Sequence, residues 1–380
     1  MAGSNGIGAQ LIHMAAADFI PYRHFWYAAP WSRGSSSVAA SSEVGRLHRW
    51  LTSWPWRRGR GFIRRLCAGL DPLDGAGELR LGAFERVLAR TGGEFPYAYV
   101  TPICEADARP VLAMVRRLGC PYLVHLWDLT HREAMISPEL MPSLCALLRG
   151  ADAVYCLTAE IARAVAIPGV RVDGLLSFGR PHPTHGARPP EDGGPLRIAM
   201  MGGTTDYSAG MRVLVDAWAR LSSRVPCELV YLGWSTLRPQ LPMDGSMRIE
   251  SHGFVDDEAR DRLLASCHLA FISGPSEDPD HEVLSRYSIP SRIGDYLHHG
   301  LPVIANFHPR SAAIGFFREV TDQGLFVARE PEAVLAAVER LRRPGAWVEA
   351  SRSAKDFARL RLDHRTLRER VLEHARPYFD

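Results

Sequence analysis

Lysine is nearly missing from this chain. Lys355 is the only one, and arginine supplies almost all of the 45 basic side chains. A clamp for phosphate is therefore expected from arginine, histidine or backbone amides. Long apolar runs are missing too. Nothing approaches the roughly 18 consecutive apolar residues that a membrane-spanning helix needs. The first residues, Met1-Ala-Gly-Ser-Asn-Gly6, lack the charged and apolar parts of a signal peptide. No Cys-x-x-Cys pair occurs, and the 7 cysteines are an odd number, so they read as buried reduced thiols. A cytoplasmic protein is expected. The net charge of +3 is too small to suggest a nucleic-acid binder.

What is present is enough for two globular domains. A length of 380 residues exceeds one ordinary core, and 46% hydrophobic content excludes a disordered chain. A segment rich in proline, glycine and histidine, residues 179–195, has no apolar period and reads as a linker. Its His182 and His185 suggest a metal site only weakly, since no cysteine or carboxylate set lies beside them. Solvated linker residues are the plainer reading.

On both sides of the linker, strands alternate with helices, which implies parallel sheets. In the first half, strands are expected at His24–Ala29, Tyr97–Val100, Tyr122–Trp127 and Ala153–Leu157. In the second, Leu196–Met201 runs into Gly202-Gly203. A helix over about 208–224 then places Met211, Leu214, Val215, Trp218 and Leu221 on one face. Further strands are expected at Glu228–Leu232, Met247–Glu250, Leu269–Ile272 and Leu325–Val327. Asp256 is placed to cap a helix.

The most informative stretch is Ser288-Ile-Pro-Ser-Arg-Ile-Gly-Asp-Tyr-Leu-His-His-Gly-Leu-Pro-Val-Ile-Ala305. It reads as a turn, a helix and a buried strand. Ser288 or Ser291 suits the N-cap, Pro290 the first turn, and Gly300 a left-handed stop. Arg292 falls where free amides and the helix dipole already favour an anion. Asp295, about one turn on, is suited to a ribose diol.

This stretch resembles the donor-binding motif of family 4 glycosyltransferases and related GT-B enzymes. Asp295 takes the place of its second acidic residue, and Gly300, Pro302, Val303 and Ile304 match the remainder of the motif. Arg292 replaces a lysine found in one subgroup. Arg149-Gly-Ala-Asp-Ala-Val-Tyr-Cys-Leu-Thr158 is similar to a strand of the N-terminal GT-B domain. The resemblance implies an α/β GT-B fold, two Rossmann-like domains facing an interdomain cleft. Residues 1–178 would bind the acceptor and 196–361 the nucleotide sugar, with a helix at about 362–380 packing back on the first domain. It also implies a retaining glycosyl transfer, with no cofactor and no metal.

Residue by residue, the resemblance implies a donor site of Gly202, Gly203, Thr204, His252, Phe254, Glu282, Arg286, Ser288, Ile289, Pro290, Ser291 and Asp295. Catalytic roles fall to Arg292, Asp128 and His125. Asp128 is similar to the aspartate of a His-Asp pair, with Trp127 in the histidine slot. His125 can face inward as a polar partner or be a buried structural residue. The chain also departs from the pattern. The basic pair that usually neutralises the diphosphate falls on Thr204 and Ala209, and the first acidic residue falls on Tyr287. Arg292, Arg286 or Arg212 would have to substitute for the pair. Asp278-Pro-Asp280 has the spacing of a metal-binding triplet, but such triplets are frequent by chance and a solvated acidic loop is the plainer reading. An inactive GT-B binding protein or subunit is the alternative to an enzyme.

One run is both basic and aromatic. Trp54, Trp56, Arg57, Arg58, Arg60, Phe62, Arg64 and Arg65 suit anionic lipid headgroups at the inner face of a membrane. They suit an anionic or lipid-linked acceptor equally well, and an exposed basic turn with buried tryptophans is the third reading.

Overall fold

The computed structural model describes residues 26–31, 35–40, 98–100, 108, 111–113, 115–116, 119–127, 139–177, 182–191, 194–202, 208–233, 247–253, 255–274 and 286–378. The chain divides into two compact units, residues 1–176 with 367–380 and residues 177–366.

In the first unit, β1 (Trp26–Trp31) and β2 (Ser35–Ala40) pair antiparallel. β3 (Ala98–Val100), β4 (Tyr122–Leu126), β5 (Ala153–Cys156) and β6 (Gly174–Leu175) form a parallel sheet in that order. Every residue of β4 and β5 is buried, as expected of parallel strands covered on both faces. α1 (Pro142–Arg149) carries proline in its first turn, where no amide hydrogen is needed. α2 (Ala159–Ala164) is capped by Thr158, whose Oγ1 accepts from Ile161 N at 3.1 Å.

The second unit is a six-stranded parallel sheet. Its strands are β7 (Leu196–Met201), β8 (Cys227–Leu232), β9 (Ile249–Ser251), β10 (Leu269–Ser273), β11 (Val303–Asn306) and β12 (Leu325–Val327), and their spatial order is β12-β11-β10-β7-β8-β9. Its helices are α3 (Ser208–Ser222), α4 (Asp257–Ala265), α5 (Ile293–His299), α6 (Ala312–Phe316), α7 (Pro331–Leu341) and α8 (Ala346–Arg361), and α9 (His364–Ala375) starts in it and from Leu367 on is part of the first unit. The apolar face expected of α3 is the one that packs. Met211, Leu214, Trp218 and Leu221 meet Ile198, Met200, Leu229 and Phe271 of the sheet and Val334, Leu335 and Val338 of α7. Each such side chain contributes about 1.5–3 kcal/mol by leaving water. α9 carries His374, whose Nε2 lies 2.8 Å from the hydroxyl of Tyr155 on β5, so this contact belongs to the first unit.

Caps follow local chemistry with one correction. Asp256 Oδ1 accepts from Ala259 N at 2.8 Å and starts α4 as expected. Gly300, at φ +74°, ends α5, and Leu301 N reaches back to Tyr296 O at 3.0 Å. Neither Ser288 nor Ser291 caps α5. Its N-cap is Arg292, with no side-chain cap. The reason is a tight lead-in: Ile293 N bonds Pro290 O, Gly294 N bonds Ser291 O and Asp295 N bonds Arg292 O, so these amides are already satisfied.

The five described cysteines are free, and four of them are buried. Burial pushes the Cys156 and Cys267 thiols up to about 12, which keeps them protonated. Among the described residues, no helix is long and apolar enough to cross a membrane.

Candidate active site

The order of the second sheet creates a place for a ligand. From β7 the chain proceeds outward through β8 and β9, then returns to the opposite side of β7 for β10, β11 and β12. The direction of winding therefore reverses between β7 and β10. In open parallel sheets a crevice forms at such a point, beyond the C-terminal ends of the strands.

Glycines line that edge. Gly202 follows β7, Gly233 follows β8 and Gly274 follows β10. A side chain at any of them would collide with a neighbour. A Cβ on Gly274 would strike the Asn306 carbonyl, and one on Gly233 would strike the Tyr231 hydroxyl and lie 2.8 Å from Gly202 O. Gly210, in the first turn of α3, sits against the side chains of Ser273 and Asn306 at the ends of β10 and β11. The first turn of this 15-residue helix therefore lies at the same edge.

Arg292 places a cation at this edge. A Cβ on Gly202 would overlap Arg292 Nη1, so the guanidinium lies directly over the end of β7. Gly202 has φ +102°, a conformation that side-chain-bearing residues rarely adopt. Two tyrosines hold the backbone beneath. Tyr231 Oη donates to Gly202 O at 2.6 Å, and Met201 N donates to Tyr296 Oη at 2.6 Å. Burial pushes both phenols up, and the Arg292 charge pulls each part of the way back. Both hydroxyls therefore stay protonated at neutral pH, and both stand near the guanidinium.

The remaining expected donor residues are spread around this centre. Ser288, Pro290 and Ser291 are partly buried and Ile289 is buried. The Ser288 Oγ is buried and makes no hydrogen bond. Arg286 is partly buried just ahead of them. Asp295 is buried on α5, and its charge reaches Arg260 of α4. Its carbonyl accepts from His299 Nδ1 at 2.6 Å. His252 follows β9, where its amide bonds Tyr231 O at 2.9 Å and its Nε2 lies 2.7 Å from Glu250 Oε1. Burial alone would raise the Glu250 carboxyl, but the hydrogen bond from His252 and the charge of Arg197 hold it below its ordinary value. Gly203, Thr204, Phe254, Glu282, Asp128 and the Asp278–Asp280 triplet lie outside the described residues. Among the described residues, no cluster of three or more His, Cys, Asp or Glu is arranged to hold a metal ion.

His125 belongs to the first unit and is wholly buried. Trp127 Nε1 donates to its Nδ1 at 2.5 Å, and its Nε2 lies 2.8 Å from Leu176 O. Since an indole nitrogen only donates, Nδ1 must accept and Nε2 must carry the proton. Burial drives the imidazole pKa down to about 3, so the ring is neutral at any ordinary pH. In this arrangement it braces β4 against the segment after β6.

Tyr231, Tyr296, Gly210 and Asn306 belong to the site, yet none of them stands out by motif or spacing. One signal does point to Tyr231. A tyrosine in a strand that is buried throughout, Cys-Glu-Leu-Val-Tyr-Leu, must place its hydroxyl on a partner.

No protein-family profile matches the chain, and no curated protein matches it by sequence. Solved structures do match. Anabaena HepE in complex with UDP-glucose is similar with a TM-score of 0.56 and 16% identity, over 76% of this chain and 80% of that one. Sucrose-phosphate synthase from Thermosynechococcus elongatus is similar with a TM-score of 0.56 and 15% identity, over 78% of this chain and 77% of that one. A putative UDP-N-acetylglucosamine 2-epimerase from Listeria monocytogenes gives a TM-score of 0.50 and 11% identity, over 79% and 78%. At such identities the likeness is one of fold: the chain has the α/β GT-B fold, and its Arg292–Gly202 edge lies on the switch point of the second of the two units.

Proposed function

We propose that the protein is a glycosyltransferase that moves a sugar from a nucleotide-sugar donor to an acceptor. The observation that carries this reading is Arg292 over Gly202 at the switch point, beside the N-terminus of α3. A leaving diphosphate there would meet one fixed cation and a set of backbone amides. Those are the groups that stabilise the charge that develops as the glycosidic bond breaks. That HepE is solved with UDP and with UDP-glucose supports a nucleotide-sugar ligand for this shared fold.

The transfer is proposed to retain anomeric configuration. A donor phosphate oxygen would take the acceptor proton on the face from which the sugar departs, so no protein base is required. His125, with both ring nitrogens engaged, then keeps its bracing position. Membership of the family 4 type, metal independence and a cytoplasmic location belong to the same proposal. Asp128 and the run Trp54–Arg65 are proposed on the acceptor side, the latter for an anionic or lipid-linked acceptor at a membrane surface.

A second reading is epimerisation of a nucleotide sugar, favoured by the likeness to the putative 2-epimerase. One experiment separates the readings. Melting temperatures are measured with UDP-, GDP-, ADP- and dTDP-sugars, and the best stabiliser is then incubated with protein and an acceptor panel. Transfer to an acceptor supports the first reading, and inversion of the free donor's stereocentre supports the second. Binding with no turnover indicates an inactive subunit. No stabilisation by any nucleotide sugar rejects all three.

A further inference from the structure

A separate opening lies at the other end of α5. The last turn of that helix meets the segment before β7, where Ala187 N donates to His299 O at 2.8 Å. A cavity of about 270 Å³ opens there, lined by His182, Gly186, His298, Lys355, Asp356 and Arg359. It is a little below the roughly 300–1,000 Å³ typical of drug-sized ligands, which points to something smaller than a nucleotide sugar. α5 has 7 residues, so about 10 Å of helix separates this cavity from Arg292.

Lys355, the only lysine of the chain, sets its charge. The lysine stem passes between two glycines. A Cβ on Gly300 would overlap its Cε, and a Cβ on Gly186 would come within 3.0 Å of its Nζ. Gly300 must be glycine for its left-handed backbone, but Gly186 has no such requirement. What its missing side chain provides is room for the ammonium group. The neighbouring arginines are neutralised, Arg359 by Asp356 at 3.2 Å and Arg365 by Asp363 at 2.5 Å, and His182 Nε2 lies 3.5 Å from Asp363 Oδ2. Among the described residues Lys355 has no ion pair, and it remains solvent-accessible. The uncompensated charge at the cavity is thus one exposed, compact ammonium. His298 forms a neutral polar wall. Its Nε2 lies 3.1 Å from Leu362 O, and burial lowers its pKa to about 4.

We propose that this cavity binds a small phosphate monoester, with Lys355 supplying the charge-assisted contact and His182 and Arg359 further donors at the rim. The proposal does not depend on the nucleotide-sugar reading. The competing account of Lys355 is that it only complements the carbonyl end of α5.

A single lysine makes the test direct. Labelling with lysine carrying ¹³C at Cε places one side-chain signal in the NMR spectrum. Inorganic phosphate, glucose 6-phosphate and glucose are titrated in turn at constant ionic strength, with sodium chloride as control. A shift that saturates with both phosphates but not with glucose or chloride is expected. Tighter saturation by glucose 6-phosphate assigns the site to phosphorylated sugars, and equal saturation assigns it to the phosphate group alone. His182→Gln, which keeps the reporter, should weaken binding several-fold. Lys355→Met, which keeps the stem, should weaken it at least about tenfold by calorimetry. A non-saturating shift matched by chloride overturns the proposal. So does phosphate binding that both variants leave unchanged. A Lys355→Met protein that is merely less stable, with no saturable shift in the parent, leaves Lys355 as a helix cap and overturns it as well.

Discussion

The Arg292 guanidinium occupies the space that a side chain on Gly202 would fill. The cation and the backbone turn at the end of β7 are therefore one structural unit, and the two residues should respond to mutation together. Arg292→Ala should weaken nucleoside diphosphate binding by about 1.5–3 kcal/mol, the cost of one charge-assisted bond, with little change in stability. Gly202→Ala should match that loss by displacing the guanidinium. It should also cost roughly 1–3 kcal/mol of stability, because alanine is strained at φ +102°. Calorimetric binding and urea denaturation of the two variants check this. Full affinity in Gly202→Ala would show that the contact does not position Arg292.

Tyr296 supports that turn from inside. Its hydroxyl accepts the Met201 amide two residues beyond Ala199, where β7 last pairs with β10. Tyr296→Phe leaves a buried N–H without its acceptor, which should cost about 1–3 kcal/mol. Amide exchange at Met201 should accelerate more than exchange at Ala199, which lies inside the ladder. Equal acceleration at both sites would mean a general loosening instead.

His125 gives a pH prediction. The unfolded imidazole takes up a proton near pH 6.5, whereas burial holds the folded pKa at about 3. The folded pKa is depressed, so between these values the unfolded chain binds the extra proton. Stability is then complete above about pH 6.5 and declines as pH falls towards 3, by up to about 1.4 kcal/mol per pH unit from this group. His298, lowered to about 4, acts in the same direction. The direct check is ¹⁵N NMR of the His125 ring. It should show the neutral form with the proton on Nε2 down to at least about pH 5. A ring that titrates near pH 6.5 would contradict the buried geometry.

Much of this architecture was legible in local sequence. The apolar spacing of Met211, Leu214, Trp218 and Leu221, the Asp256 cap and the Gly300 stop each act within a few residues, and each does what its chemistry requires. Arg292 was legible as a cation at the start of α5, and its role as an anion ligand rests on the proposal above. Its seat on Gly202 was not, since the two are brought together only by the return of the chain to β10. The Tyr296–Met201 bond is equally remote, at a separation of 95 residues. The serine caps failed for a local reason: a proline-led tight turn satisfied the amides first. The Lys355 cavity was invisible in the sequence because three separate segments build it.

Asp295 tests the reading of the donor itself. The carboxylate is buried, and its charge reaches Arg260, so it has a structural partner as well as the proposed ribose. Asp295→Asn keeps the shape and removes the charge. If the carboxylate holds both ribose hydroxyls, the variant should bind UDP at least about tenfold more weakly than the parent, and dUDP with a smaller loss, because only one hydroxyl contact remains to be weakened. Arg260→Gln serves as the control. It disturbs the same carboxylate from the protein side and should not distinguish the two nucleotides. Equal losses for UDP and dUDP in Asp295→Asn, matched by Arg260→Gln, would assign Asp295 to the pairing with α4 and remove it from the ribose site.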